Sequence, residues 1–272
     1  MRSPTSWNEL LRPGQATDYF SRRPMPPFES DATGYSAANA LWLAELSRLV
    51  YRQDEEEVAD PPKPTRREFL AKRRLSQKAF FLSPETDTQA MLVEREVDPK
   101  FAVLVFRGTE QKLKEFITDL RVGGDALGRD GYAIHDGFRT ALESVWPRIE
   151  PAIDGLTSPL FYCGHSLGAA LATLAAEKRR PQALYTFGSP LVGNGVFAAT
   201  LNGLPVFRVV DDWDLVTTVP PEAFGFEHVG EVRKLVEPPR GFSFNPIDWL
   251  RLAFSPAKPL ADHAPVNYVD RL

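Results

Sequence analysis

The residues that first suggest chemistry lie in a glycine-bounded turn around Ser166. Gly164 and Gly168 flank this serine in the pattern Gly-x-Ser-x-Gly, with an apolar run before the turn and an Ala- and Leu-rich segment after it. A buried strand, a sharp turn and a helix in this order expose a serine hydroxyl at the tip of the turn. Glycine at both flanking positions removes side chains that would collide with the strand and the helix. The pattern predicts a nucleophile at Ser166, and the alternative is an ordinary helix-capping serine.

A nucleophilic serine needs a base, and the base needs an acid that fixes its tautomer and stabilises its cation. In a strand-turn-helix setting the acid and then the base follow the serine along the chain. The four histidines are His135, His165, His228 and His263. The first precedes the serine, and the second lies within the turn with its ring directed away from the serine. His263 is favoured because a loop can bring it over the ends of the strands, whereas His228 begins an apparent strand and is the alternative.

The candidate acids follow a predicted strand at residues 205–210. Functional side chains of parallel sheets gather at the carboxyl ends of the strands, where Asp211, Asp212 and Asp214 are found. We favour Asp214, which begins the run Asp-Leu-Val ahead of two prolines. Asp211 and Asp212 remain alternatives, and the carboxylates that are not used can cap the turn.

Attack by a serine creates an oxyanion that needs hydrogen-bond donors. One donor is expected from the backbone N–H of Leu167, the residue after the nucleophile. The second is expected from a loop after an earlier buried strand. Thr109 follows the apolar strand predicted at residues 101–106, and its hydroxyl adds a further donor. The alternative for Thr109 is an ordinary turn threonine.

An amphipathic segment follows this loop. Its apolar residues have helical spacing, at Leu113, Phe116, Ile117 and Leu120. Residues 112–120 therefore predict either a lid over an apolar site or an ordinary surface helix. Glycines after the segment provide hinges for a lid at Gly123, Gly124 and Gly128.

The overall composition is that of a soluble globular protein. The 272 residues are 43% hydrophobic and 25% charged. A net charge of −4 gives no reason to expect a nucleic-acid partner. Cys163 is the single cysteine, so an internal disulfide and a cysteine-based metal site are excluded. No secretory leader and no apolar run of about 18 residues is visible, so we expect a cytoplasmic protein, with leaderless export left open.

Predicted strands alternate with predicted helices along the chain, which indicates βαβ units and a mainly parallel sheet. No repeat and no change in composition divides the sequence. We therefore expect one domain over residues 1–272, with residues 1–33 as an irregular N-terminal arm. Several later aromatic and apolar residues either line an acyl groove or belong to the core, which we favour for most of them: Phe226, Phe242, Phe244, Trp249, Leu250 and Phe254.

Taken together, these motifs resemble the fungal-type, or class 3, lipases of the α/β-hydrolase fold, over about residues 35–272. The resemblance rests on short stretches spread along the chain: Asp87-Thr88-Gln89-Ala90, Val105-Phe106-Arg107-Gly108-Thr109, Phe116-Ile117-Thr118-Asp119-Leu120, His135-Asp136-Gly137-Phe138, the Ser166 turn through Ala172, residues 186–194, Asp214-Leu215-Val216, Pro220-Pro221, His228-Val229-Gly230 and Asp262-His263. Departures from the family pattern are Ala169, where a second glycine is frequent, and Thr217, where a proline is usual.

The resemblance implies an α/β-hydrolase fold, with a mostly parallel central β-sheet flanked by helices. It implies a catalytic triad of Ser166, Asp214 and His263, an oxyanion hole from Thr109 and Leu167, and a lid at residues 112–120. No metal and no organic cofactor is implied. The implied partners are a lipid or other ester substrate and, transiently, a lipid interface.

We therefore hypothesise a serine carboxylic-ester hydrolase that acts on acylglycerols or related lipid esters through an acyl-enzyme. The alternatives are a short-chain esterase, a phospholipase, and a peptidase or amidase on the same fold. A non-catalytic lipase-like scaffold that binds a ligand is the alternative from another class. Nothing in the sequence indicates an oligomeric state.

Overall fold

The computed structural model describes residues 5–53, 64–108, 113–122, 131–236 and 255–272. Some positions singled out in the sequence lie outside these ranges, namely Thr109, Gly123, Gly124, Gly128, Phe242, Phe244, Trp249, Leu250 and Phe254. Among the described residues, none of the helices combines the length and the apolar character that crossing a membrane requires.

Within the described ranges, seven strands form one sheet in the order β1-β2-β3-β4-β5-β7-β9, and β6 pairs with β8 in a small second sheet. The strands are β1 (Ser76–Ser83), β2 (Thr88–Arg95), β3 (Phe101–Phe106), β4 (Leu160–His165), β5 (Ala183–Phe187), β6 (Gly193–Asn194), β7 (Val206–Asp211), β8 (Phe226–Glu227) and β9 (Glu231–Leu235). Strands β3, β4, β5, β7 and β9 are parallel neighbours, and β1 and β2 add antiparallel pairs at one edge. The predicted, mainly parallel sheet is therefore present.

Helices cover both faces of this sheet. The described helices are α1 (Trp7–Leu11), α2 (Ala37–Leu49), α3 (Arg66–Ala71), α4 (Leu113–Val122), α5 (Asp136–Glu143), α6 (Trp146–Asp154), α7 (Leu167–Lys178), α8 (Gly195–Thr200), α9 (Lys258–Ala261) and α10 (Pro265–Arg271). The sequence explains their starting points: the Ser36 hydroxyl accepts the Asn39 N–H ahead of α2, and Thr65 and Glu68 form a capping box on α3.

The core lies in two layers because successive side chains of a strand point to opposite faces. Val103 and Cys163 pack on the face covered by α2. Leu104 and Tyr162 pack on the face covered by α5, α6 and α7. Both faces being buried explains why β3 reads as a continuous apolar run.

Residues 5–33, within the segment predicted as an irregular arm, contain the short helix α1 and pack on the domain. Ser6 and Glu9 form a capping box that starts α1. The Phe28 ring stacks on the ring of Phe101 in the central sheet, with 3.8 Å between centroids. Phe20 is also buried in the layer on this face, so aromatic anchors attach the segment to the domain.

Candidate active site

Strand β4 ends in the strained turn that the glycine pattern predicted. Ser166 has φ 60° and ψ −129°, a conformation that a non-glycine residue seldom adopts. A Cβ atom at Gly164 would lie 2.2 Å from the Gly168 carbonyl oxygen, and one at Gly168 would lie 2.2 Å from the Phe106 oxygen. The Ser166 N–H donates to the Phe187 carbonyl at 3.0 Å, which anchors the turn to β5. The turn therefore tolerates only glycine at its two flanks.

Asp214 and His263 form a buried pair. The His263 Nδ1 atom lies 2.9 Å from Oδ1 and 2.8 Å from Oδ2 of the Asp214 carboxylate. Because a carboxylate only accepts, the imidazole carries its proton on Nδ1 and leaves Nε2 as the basic nitrogen. The Val216 N–H donates to Oδ1 of Asp214 at 2.9 Å and keeps the carboxylate in place. The two residues thus provide an oriented imidazole of the kind that general-base catalysis uses.

Neither Ser166 Oγ nor His263 Nε2 has a hydrogen-bond partner among the described residues. Both are buried, and the His263 ring packs on the His165 ring, next to the serine, with 4.5 Å between centroids. The structure does not join the serine to the histidine by a hydrogen bond. Such bonds are often long in the absence of substrate and tighten during the reaction.

The two predicted oxyanion donors have different outcomes. Leu167 is the first residue of α7, so its N–H is among those with no acceptor inside the helix. It also lies at the positive end of the helix dipole, where an anion is stabilised. Thr109 lies outside the described residues.

His165 supports His263 through its backbone. The His165 Nε2 atom is 2.7 Å from the His263 carbonyl oxygen, so Nε2 carries the proton and donates. Nδ1 then accepts from the Tyr51 hydroxyl at 3.0 Å. Burial, together with the nearby His263, holds the pKa of His165 well below its usual value and keeps this tautomer neutral. The sequence alone indicates only that His165 is directed away from Ser166, so this supporting role is new.

Tyr268 and Gly188 are further site residues that sequence analysis missed. The Tyr268 hydroxyl donates to Oδ2 of Asp214 and accepts the N–H of Asp211 at 3.3 Å. Gly188 has φ +59°, and a Cβ atom there would lie 2.6 Å from Asp214 Oδ2 and 3.0 Å from His263 Nδ1. The available signals were weak: a tyrosine five residues after His263, and a glycine directly after an apolar run.

The alternative candidates take other roles. The Nε2 atom of His228 donates to the Thr217 carbonyl at 2.8 Å, and burial lowers the pKa of this histidine to about 4. Asp211 is paired with Arg271, and Asp212 binds Lys258 on the surface. None of the three alternatives contacts His263 in the way that Asp214 does.

The site is enclosed. Ser166 has 0% of its surface exposed, and Asp214 and His263 are buried as well. A surface cavity of about 330 Å³ lies between α8 and the His228 loop, and none of these three residues lines it. An apolar cluster packs α1 and α4 against the neighbours of the acid and the base, through Leu10, Ile117, Val216, Ala264 and Val266. The amphipathic segment therefore forms a helix whose apolar side faces the site region.

Comparison with known proteins supports a common origin with lipases. The sequence model of the family described as Lipase (class 3) matches residues 103–224. The solved structure of lipase II from Rhizopus niveus has 30% sequence identity and a TM-score of 0.55, and the similarity covers 62% of this chain and 69% of that one. These similarities confirm the predicted α/β-hydrolase-type fold.

Two curated relatives are also similar over part of their length. A Rhizopus niveus lipase is 35% identical over 167 residues, which cover 55% of this chain and 42% of the relative. The secreted mono- and diacylglycerol lipase 1 of Fusarium solani is 40% identical over 109 residues, covering 36% of this chain and 33% of the relative. The chain thus spans less than half the length of these curated relatives.

The second relative corrects one expectation. A cytoplasmic location was expected from the sequence, and the comparison contradicts it because the Fusarium solani relative is named as a secreted protein. The expectation depended on the lack of a visible secretory leader and of an apolar run of about 18 residues in the sequence.

Proposed function

The chain belongs to the class 3 lipase family, and from this premise we propose that it is a serine carboxylic-ester hydrolase acting on lipid esters such as acylglycerols. The observation that carries the proposal is the buried His263–Asp214 pair beside Ser166, with 2.8 Å between Nδ1 and Oδ2. An imidazole oriented by a carboxylate is the base that a serine hydroxyl requires. The lipase names of its relatives favour lipid esters over amides.

In the first half of the proposed reaction, Ser166 Oγ attacks the ester carbonyl carbon while His263 Nε2 takes the hydroxyl proton. Asp214 stabilises the imidazolium that forms. The negative charge on the former carbonyl oxygen is stabilised by the Leu167 N–H, with Thr109 proposed as the second donor. When the tetrahedral intermediate collapses, the bond to the alkoxy oxygen breaks, and His263 protonates the departing alcohol.

In the second half, His263 Nε2 takes a proton from a water molecule, whose oxygen attacks the acyl-enzyme carbonyl carbon. Collapse of the second tetrahedral intermediate breaks the bond to Ser166 Oγ. His263 returns the proton to this oxygen, so the free acid leaves and the enzyme is regenerated. No group outside the protein and water is required.

We further propose that Trp213 takes part in a transient contact with a lipid interface. Trp213 directly precedes Asp214 and is 66% exposed. Val236, 75% exposed, follows the strand residue Leu235 that pairs with Asp211, so both apolar side chains lie at the same edge of the sheet. Tryptophan favours surfaces where an apolar phase meets water.

Replacing Trp213 by alanine should weaken co-sedimentation with phosphatidylcholine vesicles, whereas Val97→Ser, which alters an exposed valine at the opposite edge, should not.

The central proposal is tested with p-nitrophenyl esters of increasing acyl length. Ser166→Ala should lose nearly all activity, because the proposed acyl-enzyme forms on the Ser166 hydroxyl. Ser21→Ala, which changes an exposed serine in the N-terminal segment, is the matched control and should retain wild-type rates. A fluorophosphonate probe should label the wild-type protein at Ser166, which mass spectrometry of the peptide identifies.

The outcomes separate the rival functions. A preference for long acyl chains supports a lipase, and a preference for short chains would instead support an esterase. Turnover of phospholipid but not of acylglycerol would identify a phospholipase. A folded wild-type protein that neither hydrolyses any ester nor reacts with the phosphonate would overturn the proposal in favour of a binding scaffold.

A further inference from the structure

The acid and the base of the proposed triad come from two different parts of the chain. Asp214 follows β7, and His263 lies in the short connection between α9 and α10. Their side chains meet at 2.8 Å, so the two loops must hold a fixed relative position. Displacing a catalytic group by about 1 Å can cost about 100-fold in rate. Contacts that join the two loops are therefore relevant to catalysis.

Arg271 joins these loops directly. Its Nη1 atom donates to Oδ1 of Asp211, three residues before Asp214. The same nitrogen lies 3.0 Å from Oδ1 of Asp262, the residue immediately before His263. One guanidinium on α10 thus connects the chain ahead of the acid to the chain ahead of the base.

Asp262 makes further connections to the same loop. Its Oδ2 atom accepts the backbone N–H of Trp213 at 3.2 Å and lies 2.6 Å from Lys258 Nζ. Lys258 in turn lies 2.7 Å from Oδ2 of Asp212. Asp262, which precedes His263, is consequently linked to the three residues that precede Asp214, namely residues 211–213.

The central part of this arrangement is buried. The Asp211 and Asp262 side chains are almost fully inaccessible, and the Arg271 side chain is 6% exposed. Breaking a buried ion pair on one side leaves an uncompensated charge, which is strongly destabilising. Without the guanidinium, Asp211 and Asp262 would lose the donor that they share, and the loops that carry them would no longer be joined through it.

We propose that Arg271, Asp211 and Asp262 form a positioning bridge that holds the His263 loop in register with Asp214. The bridge rests on the proposed ester hydrolysis, but it touches neither the substrate nor the reacting atoms. Its residues are positioning residues and act through the geometry of the acid–base pair.

Several other charged or titratable groups surround Asp211 and bear on its behaviour. Arg271 and Tyr268 face it from α10, Asp262 from the connection before α10, and Asp214 from its own loop. Burial raises the pKa of Asp211 to about 7, in spite of the hydrogen bond from Arg271 and its charge. The Oδ2 atom of Asp211 has no partner among the described residues, which agrees with a costly buried charge. The ion pair to Arg271 is therefore complete only above about pH 7.

The test compares Arg271→Met with Arg22→Met. Arg22 pairs with Asp270 on the same helix, but it makes no contact with Asp211 or Asp262, so it is the matched control. Arg271→Met should lower kcat by about 100-fold with little change in KM. Arg271→Lys should be less impaired than Arg271→Met. A lysine keeps the positive charge, but it lacks the planar guanidinium that contacts both Asp211 and Asp262. Arg22→Met should keep wild-type kcat.

A second readout does not depend on ester turnover. The proton between His263 Nδ1 and Asp214 should give a strongly deshielded ¹H NMR resonance in the wild-type protein. Arg271→Met should broaden or remove this resonance at pH 8, and Arg22→Met should preserve it. If the wild-type protein hydrolysed no ester, the proposed function would fail, while the resonance would still test the bridge.

The pH profile distinguishes this role from a general loss of stability. Asp211→Asn keeps an oxygen acceptor for Arg271 but removes the carboxylate that titrates near pH 7. As the pH rises through about 7, the ion pair to Arg271 becomes complete, and the wild-type kcat should increase. Asp211→Asn should lack this increase. A folded Arg271→Met protein with wild-type kcat, or an equal loss in Arg22→Met, would overturn the proposal.

Discussion

Tyr268 donates its hydroxyl hydrogen to Oδ2 of Asp214, the same oxygen that lies 2.8 Å from His263 Nδ1. The Tyr268 hydroxyl accepts the Asp211 N–H in turn, so one phenol connects the backbone of β7 to the acid of the proposed triad. Burial and the charges of Asp214 and Asp211 hold the pKa of Tyr268 well above its usual value. The hydroxyl therefore stays protonated, and remains a donor, above the pH at which an ordinary phenol ionises.

Tyr268→Phe removes this donor and leaves the ring in place. Because a hydrogen bond to a charged group contributes about 1.5–3 kcal/mol, we expect kcat/KM to fall by about 10-fold or more and the unfolding free energy to fall by about 2 kcal/mol. Steady-state kinetics and urea denaturation measure the two effects. Tyr185→Phe, which removes the buried hydroxyl that accepts the Ser36 N–H, should lower stability only. Equal kinetics in Tyr268→Phe and wild type would show that the phenol does not support Asp214.

Gly188→Ala should disrupt the same site by steric conflict. The new methyl group would lie 2.6 Å from Asp214 Oδ2, 2.9 Å from the Tyr268 hydroxyl and 3.0 Å from His263 Nδ1. Because these three atoms form the acid–base network, we expect kcat/KM to fall by more than about 100-fold. The positive φ of +59° adds about 1 kcal/mol of backbone strain.

Gly203→Ala separates the two causes. Gly203 also has a positive φ, of +80°, but a Cβ atom there would meet nothing within 4 Å. This variant should lose about 1 kcal/mol of stability and keep wild-type kcat/KM. If both glycine variants retained activity, the crowding at Gly188 would have no catalytic consequence.

Local patterns gave predictions for the parts of the candidate site that depend on order along the chain. Ser166 was predicted from the glycines that flank it, and Asp214 and His263 from their order after it; the structure brings the last two into contact. The apolar run at residues 101–106 predicted β3 with the bounds that the structure has, because a strand buried on both faces leaves a continuous apolar signal.

The supporting contacts could not be predicted because they join distant parts of the chain. Tyr268 lies 54 residues after Asp214, and Tyr51 lies 114 residues before His165. A buried tyrosine has the same sequence signature whether its hydroxyl meets a carboxylate or a carbonyl. Similarly, the atoms that a Cβ at Gly188 would meet belong to Asp214, Tyr268 and His263, all distant along the chain, and no neighbouring residue signals this crowding.

His228 should make the folded protein sensitive to acid. Its pKa in the folded state is about 4, and an unperturbed histidine titrates near 6.5. The unfolded chain therefore binds a proton here as the pH falls below about 6.5, whereas the folded chain does not until about pH 4. This contribution to stability is complete above about pH 6.5 and is lost between these two values, by about 1.4 kcal/mol per pH unit.

His228→Gln removes this titration and keeps an amide that can donate to the Thr217 carbonyl. Urea denaturation at several pH values between 4 and 7 should show a wild-type stability that falls more steeply towards acid than that of the variant. The slope of unfolding free energy against pH gives the number of protons taken up on unfolding. This number should be larger for the wild type by nearly one, because the groups that titrate in both proteins cancel when the two slopes are subtracted. Parallel slopes would mean that His228 has the same pKa in the folded and the unfolded chain.

Ile117 should control access to Ser166. It packs in the apolar cluster with Leu10, Val216 and Val266, on the described part of the amphipathic helix α4. Large-to-small changes of buried aliphatic residues cost about 2–5 kcal/mol, so Ile117→Ala should raise the population with α4 undocked by about 10-fold or more. Ser166 is fully buried in the docked arrangement, and its reaction with a small phosphonate in lipid-free buffer should accelerate accordingly.

Glu115→Gln, on the exposed side of the same helix, should leave this rate constant at the wild-type value. An unchanged rate in a folded Ile117→Ala protein would mean that another part of the chain limits access to the serine.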